Sequence, residues 1–210
     1  MDLERKIKLV KSEIYKKLYK FYNEQTFSKK IKFKNKKNNE VDPVTYLDLK
    51  LEKIIKKIIR KFFKDHNIIG EEFGTENFNS DYTWYIDPID GTKSFLMGLP
   101  NWSSLIGLYH KSSPVFSMAY FPALDKLYYT DKKYSYLRSN KTTKIIKVSN
   151  NFDPKKAKLA INTFHAISNI KNFRKLKKFK GFYKITGADS LNFCLISEGK
   201  IDVLIEKGLK

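Results

Sequence analysis

Gly70-Glu71-Glu72-Phe73-Gly74, followed by Trp84-Tyr85-Ile86-Asp87-Pro88-Ile89-Asp90-Gly91-Thr92, is the stretch that decides the fold. Ile68-Ile69 leads into the first acidic group, and Thr83 to Ile86 leads into the second. Each apolar run reads as a buried strand with carboxylates at its end. In a chain with 42 Lys and Arg against 22 Asp and Glu, such a gathering of acids runs against the composition. Strand ends project into a shared crevice, where sheet-containing folds bind ligands. Carboxylates held together there repel one another unless a cation sits among them. A hard divalent cation with oxygen ligands meets that need, and magnesium is the usual choice where phosphate is also bound.

The second group has its own logic. Pro88 fixes φ and has no amide hydrogen, so the chain is expected to leave the strand stiffly there. Asp87, the carbonyl of Ile89 and Asp90 could then converge on neighbouring cations. Gly91 permits close backbone approach, and a short helix after it, ending near Pro100, offers its first amides to a phosphate. The Thr92 hydroxyl is placed to orient a water. A plainer reading has Asp87 and Asp90 only capping a turn. Glu71 and Glu72 one strand earlier, and Asp42 and Asp48 before that, weigh against it.

Outward from these acids, Leu3, Ile7, Val10, Ile14, Leu18 and Phe21 recur at helical spacing and predict an amphipathic helix that frays near Asn23 to Ser28. A polar loop runs to Pro43. Thr45 and Asp48 form a Thr-x-x-Asp capping pattern for a second helix, with Leu51, Ile54, Ile55, Ile58, Ile59 and Phe62 facing inward and Asp65-His66-Asn67 ending it. Trp102 to Tyr109, Val115 to Phe121, Leu127 to Thr130, Tyr134 to Leu137 and Ile145 to Val148 read as strands, as do Leu159 to Asn162 and Ile201 to Ile205. Ile170 to Phe179 reads as a basic helix and Ser190 to Ser197 as an apolar one. Strands in runs, with helices between the groups, predict an α+β fold, and the lack of a linker predicts a single domain over 1–210.

Composition narrows the function. With 41% hydrophobic residues and 15% aromatics, the chain is expected to fold. It has no run of the roughly 20 apolar residues that would cross a bilayer, and its first residues lack the apolar stretch of a signal peptide. Cys194 is the only cysteine, which suits a reducing cytoplasm; between Phe193 and Leu195 it reads as a small buried hydrophobe. The net charge of +20 would fit nucleic-acid binding, but Lys is spread along the whole chain and no recognition motif accompanies it. Nucleic acid is therefore not the expected partner. His66, His110 and His165 are scattered and read as packing or surface residues.

Asp87-Pro88-Ile89-Asp90-Gly91-Thr92, with Trp84 before it and Phe95 and Pro100 after, resembles the signature of the inositol monophosphatase superfamily. Asp42-Pro43-Val44-Thr45 with Asp48, Gly70-Glu71-Glu72, Gly187-Ala188-Asp189-Ser190 and Gly199-Lys200-Ile201-Asp202 follow the same family order, so the resemblance covers essentially the whole chain. It implies a layered αβαβα sandwich and hydrolysis of a small phosphate monoester by water, with two to three magnesium ions. By the same resemblance Glu71, Asp87, Asp90 and the main-chain oxygen of Ile89 are metal ligands, and Glu72 and Asp42 serve a further metal position through water. Thr92 and Asp48 activate and orient the attacking water together with Glu71. Lys37 matches a lysine on a mobile loop. The amides of Gly91 and Thr92 face the phosphate, Lys93 is a further substrate-binding residue, and Asp189 and Glu206 contact the alcohol part of the substrate. The resemblance also leaves room for a homodimer.

Lys93-Ser94 within the signature, Glu72-Phe73-Gly74, Ala188-Asp189-Ser190 and the ending Glu206-Lys207-Gly208-Leu209-Lys210 are similar to the histidinol-phosphatase branch. Asp189 would suit a cationic amino alcohol such as histidinol, giving a role in histidine biosynthesis; as a plain structural residue it would cap the helix beginning near Ser190. Inositol 1-phosphate is the alternative substrate. The family pattern continues with a further strand and helix carrying an aspartate ligand, which this chain reaches Lys210 without showing. A metal-binding relative without catalysis is thus the competing expectation.

Overall fold

The computed structural model describes residues 2–24, 33–37, 40–151, 153–163 and 179–207, without the side chains of 24 and 35–44. The chain divides into two compact units, Met1–Lys133 and Tyr134–Lys210. It is an α+β protein with a mixed sheet.

The first unit opens with α1 (Leu3–Glu24). Ile7, Val10, Ile14, Leu18 and Tyr22 form its buried stripe, at the spacing the sequence predicts except that Tyr22, not Phe21, closes it. Residues expected as a polar loop instead form a hairpin, β1 (Phe33–Lys37) and β2 (Glu40–Thr45), paired antiparallel from Phe33 and Thr45 inward. Pro43 is tolerated opposite Asn35 in this two-stranded ribbon because one side of each strand has no ladder to feed. Then comes α2 (Tyr46–Phe62), opened by the expected reciprocal cap. Leu47, Leu51, Ile55, Ile58 and Ile59 are buried along it, but so are Asp48, Glu52 and Lys56, which follow one another at i+4 spacing.

The strands β3 (Asn67–Gly70), β4 (Gly74–Glu76), β5 (Tyr82–Asp90), β6 (Ser103–His110), β7 (Ser113–Phe121) and β8 (Lys126–Thr130) build the sheet of this unit in the order β8-β7-β6-β5-β3-β4. The pairs β3–β4, β5–β6, β6–β7 and β7–β8 are antiparallel, whereas β3 and β5 run parallel, with Gly70 beside Ile86. That pair brings the C-terminal ends of both acid-bearing strands to the same edge. The expectation that Pro88 ends the strand is corrected: β5 runs on to Asp90, and the β5–β6 ladder is irregular between Asp87 and Asp90. A proline lacking its amide is accommodated at such an irregularity. One turn of helix, α3 (Thr92–Leu96), follows. Trp84, fully buried among Ile68, Leu108 and Phe116, sits in a core that α1 and α2 cover.

The second unit holds an antiparallel hairpin, β9 (Ser135–Ser139) with β10 (Thr142–Ile146), and a parallel sheet in the order β12-β11-β13. Here β11 is Lys158–Ile161, β12 is Phe182–Ile185 and β13 is Val203–Ile205, with α4 (Asp189–Ser197) before β13. Asp202 ties this sheet together: its Oδ2 accepts from the Lys158 amide at 2.7 Å and from Asn151 at 3.3 Å. The expected helix over Ile170 to Phe179 falls, apart from Phe179, outside the described residues, as does His165.

Candidate active site

The parallel pairing of β3 and β5 continues one step past the strand, where the Glu71 amide donates to the Ile86 carbonyl at 3.0 Å. Glu71 and Asp87 thereby become neighbours, with their carboxyl groups in hydrogen-bonding reach. Asp87 is half-buried with Oδ1 fully enclosed and without a hydrogen-bond partner. Burial pushes its carboxyl well above the usual carboxylate range, and the charges of Glu71, Asp90 and Asp48 push it further. Glu71 itself is exposed, so the cluster is open to solvent on that side.

Asp48 is wholly buried at the first turn of α2. Its Oδ2 accepts from the Thr45 amide at 2.8 Å and the Thr45 hydroxyl at 2.5 Å, while Thr45 Oγ1 accepts from the Leu47 amide at 3.1 Å. The cap locks the carboxylate in place. It leaves Oδ1 enclosed and without a hydrogen bond. Burial raises this carboxyl too, against the Thr45 bonds that lower it.

On the other side of β5, the Thr92 hydroxyl donates to the Ile89 carbonyl at 3.0 Å. Gly91 precedes α3 with φ of 80°, and the Phe95 amide returns to its carbonyl at 3.0 Å. A residue with a side chain would be strained there by its backbone alone, since an added Cβ would meet Trp102 at an ordinary 3.5 Å. Lys93 is exposed. The Pro88 carbonyl is held by the Ser104 hydroxyl at 2.7 Å, and Ser104 in turn meets the Tyr22 hydroxyl at 3.2 Å. Burial drives the Tyr22 phenol far up, so it stays neutral in this chain of bonds.

One residue of the site escapes the sequence reading. Glu52 is fully buried on α2, and its carboxylate accepts from the amides of Glu72 at 2.7 Å and Phe73 at 3.2 Å. Lys56 lies 3.1 Å from it and 3.1 Å from Glu76, which Arg60 holds at 2.8 Å. A Cβ on Gly70 would stand 1.8 Å from Glu52 Oε1, so only glycine lets the carboxylate approach. The signal was present: Asp48, Glu52 and Lys56 recur every four residues beside the apolar stripe.

The backbones of Asp42 and Lys37 lie on β2 and β1, and their side chains are outside the described part. Glu72 is half-buried beside Glu71. Asp189 and Glu206 belong to the second unit. Asp189 is the first residue of α4, whose N-cap is Ala188 without a side-chain bond, so the capping role is not the one it plays. Glu206 is half-buried; its Oε1 accepts from the Lys207 amide at 2.8 Å, and its Oε2 is enclosed without a hydrogen bond. Cys194 is half-buried rather than buried, because the short helix that carries it buries only Ser190 and Asn192 fully. His66 packs as expected, stacked on Tyr82 and accepting from the Trp84 indole at 3.2 Å.

The donor set suits a hard cation. Asp87 Oδ1 and Asp48 Oδ1 are enclosed oxygens without hydrogen bonds, and the charge of Glu71 adds to burial in raising both carboxyls. Among the described residues, no three carboxylate, imidazole or thiolate groups gather round one point at ligating distance. Magnesium does not require that: it keeps several waters and commonly takes one or two carboxylates plus phosphate oxygens.

Residues 4–210 match the model of the inositol monophosphatase family. A fructose-1,6-bisphosphatase/inositol-1-monophosphatase from Aquifex aeolicus is 32% identical over 194 residues, covering 89% of this chain and 71% of its own length. A histidinol-phosphatase from Mycobacterium tuberculosis is 27% identical over 174 residues, covering 80% of this chain and 66% of its own length. In solved structures, the Thermotoga maritima IMPase has the same fold, with a TM-score of 0.76 at 27% identity over 95% of this chain and 74% of that one. The chain belongs to the inositol monophosphatase family, whose members use divalent metal ions. It spans between 50% and 64% of the length of several other curated relatives. No helix among the described residues is long and apolar enough to cross a membrane.

Proposed function

We propose that this chain is a magnesium-dependent phosphatase that hydrolyses a small phosphate monoester. What supports the reading above all is the acid cluster of Asp48, Glu71, Asp87 and Asp90, whose members raise Asp87 and so call for a cation. Glu71, Asp87, Asp90 and the Ile89 carbonyl would hold the catalytic ions, with Glu72 and Asp42 acting through water at a further one. Magnesium bound there supplies charge neutralisation and makes water a nucleophile for in-line displacement at phosphorus.

The chain's own groups do the rest. Asp48 has one oxygen committed to Thr45 and one left to take a proton from water. Thr92 fixes that water through its hydroxyl, which the Ile89 carbonyl already orients. The amides of Gly91 and Thr92, with Lys93, face the phosphate. Asp189 and Glu206 would recognise the alcohol, and two carboxylates favour a cationic one. Histidinol phosphate is therefore the first substrate, in the cytoplasm, where a lone thiol is at home. Inositol 1-phosphate is the second, favoured by the Aquifex relative's greater identity and coverage.

Phosphate release from both esters, with and without magnesium, tests the reading. Magnesium-dependent turnover of histidinol phosphate that drops about a hundredfold or more in D90N is expected. Turnover that ignores magnesium or survives D90N overturns the mechanism, and preference for inositol 1-phosphate overturns the substrate. Magnesium uptake with no turnover of any ester would leave a metal-binding protein without catalysis.

A further inference from the structure

We propose that Glu52 is the positioning residue of the acidic turn, its buried carboxylate setting where Glu71 and Glu72 stand for a divalent cation. The inference rests on the reading that these acids hold magnesium. Three successive amides of the turn are tied down: Glu71 to the Ile86 carbonyl at 3.0 Å, and Glu72 and Phe73 to Glu52 at 2.7 and 3.2 Å. Two of the three bonds thus come from a single side chain on α2, one helical turn after Asp48. The helix that carries Asp48 therefore also fixes the turn that carries Glu71, and both acids are referred to one rigid element.

Stability alone does not account for Glu52. The turn is at the surface, with Glu71 and Phe73 exposed, and water could serve its amides. Enclosing a carboxylate and an ammonium costs about as much as their attraction returns, and an apolar pair often serves a core as well. What water cannot do is hold the amides in one place. The carboxylate is itself fixed, by Lys56 at 3.1 Å on one side and by the backbone of Gly70 on the other, where a Cβ would lie 1.8 Å from Oε1. Lys56 is anchored by Glu76, and Glu76 by Arg60. A chain of alternating charges thus ends on the two amides next to the proposed ligands.

The test uses the metal-free chain, magnesium alone as the probe, and two readouts. Amide hydrogen exchange reports the turn, and calorimetric titration reports the metal. In E52Q, exchange at Glu72 and Phe73 should quicken about tenfold or more relative to Ile58 and Ile59 of α2. The magnesium dissociation constant should rise about 10- to 100-fold. L51A, one residue away and equally buried, should lower thermal stability and leave magnesium affinity within about twofold. G70A, which drives a methyl group into the carboxylate, should reproduce E52Q. If E52Q does not fold, E52D, which keeps the charge and withdraws the acceptor, carries the same readouts together with G70A. Unchanged exchange at the two amides overturns the proposal, as does quickened exchange with unchanged magnesium affinity. A wild-type chain that binds no magnesium instead removes the functional reading, and the positioning role with it, while the exchange data still report whether Glu52 holds the turn.

Discussion

The Thr92 hydroxyl donates to the carbonyl of Ile89 at 3.0 Å, which joins the proposed water-orienting group to a proposed metal ligand through one bond. T92S keeps the donor and should keep most of the activity. T92V keeps the shape and loses the donor, so kcat should fall about 10²- to 10⁴-fold with little change in KM. Steady-state kinetics on the two variants check this. A loss in T92S with activity kept in T92V would mean that the methyl group, not the hydroxyl, matters.

The contribution of Asp87 to metal-free stability should fall as pH rises through the acid range. Asp87 is raised by burial first and by Glu71 and Asp90 next, from an ordinary value of 3.8. Between 3.8 and that raised value the folded chain binds more protons than the unfolded one, so stability declines with rising pH and stays reduced above the window. D87N removes this dependence on pH. Without magnesium it should unfold at higher temperature than wild type at pH 7, with the gap closing as pH falls. Magnesium should stabilise wild type and not D87N. Thermal melts with and without chelator decide it.

S104A deletes the donor to the Pro88 carbonyl, which lies in the chain between Asp87 and Asp90. A buried carbonyl without a partner costs about 1–3 kcal/mol, and denaturant unfolding should show a loss of that size. Y22F should cost less, about 1 kcal/mol, and much less again once Ser104 is gone, because the two hydroxyls share one chain of bonds. Additive losses would separate them.

His66 should titrate far below a free imidazole. Burial lowers it to about 4, and Lys6 and Arg60 add to the effect. Its Nδ1 accepts from Trp84, a role open only to the neutral ring. The folded value lies below the unfolded 6.5, so the contribution to stability is full above 6.5 and is lost as pH falls toward 4. This runs opposite to Asp87. Ring NMR should give a midpoint near 4, and the stability advantage of wild type over H66F should shrink from pH 7 to pH 5. A midpoint near 6.5 would show the ring to be solvated.

Elements with a regular apolar period were legible in the sequence. Ile7, Val10, Ile14 and Leu18 mark α1 without ambiguity, and Thr45 with Asp48 marks the start of α2 because a reciprocal cap has a fixed spacing. The hairpin of β1 and β2 was not legible. Four of the five residues of β1 are Lys or Asn, and β2 breaks its alternation with Asp42 and Pro43, so neither strand shows a regular apolar period. Pro88 misled for a related reason: proline's lost amide matters only where a ladder needs it, and the β5–β6 ladder is irregular there.

The site was legible at its acids and not at their supports. Asp87, Asp90 and Glu71 stand out because carboxylates at apolar strand ends are costly without a cation. Glu52 did not, since a lone Glu on a Lys-rich helix looks like surface. Its burial depends on Gly70, eighteen positions later by the numbering, and that contact is made only by folding.

Because the parallel alignment seats Gly70 beside Ile86, the closeness of Glu71 to Asp87 doubles as a gauge of how two strands are threaded. Adding or deleting one residue inside either strand would turn every later side chain to the opposite face and set Asp87 against the wrong neighbour. The connection between β4 and β5 has no such restriction: Asn67 merely braces it, taking the Phe78 amide at 2.8 Å and reaching the Ser80 carbonyl at 2.7 Å, at the far end of β3 from the acids. A one-residue insertion between 77 and 81 should therefore be tolerated far better than one inside β3 or β5.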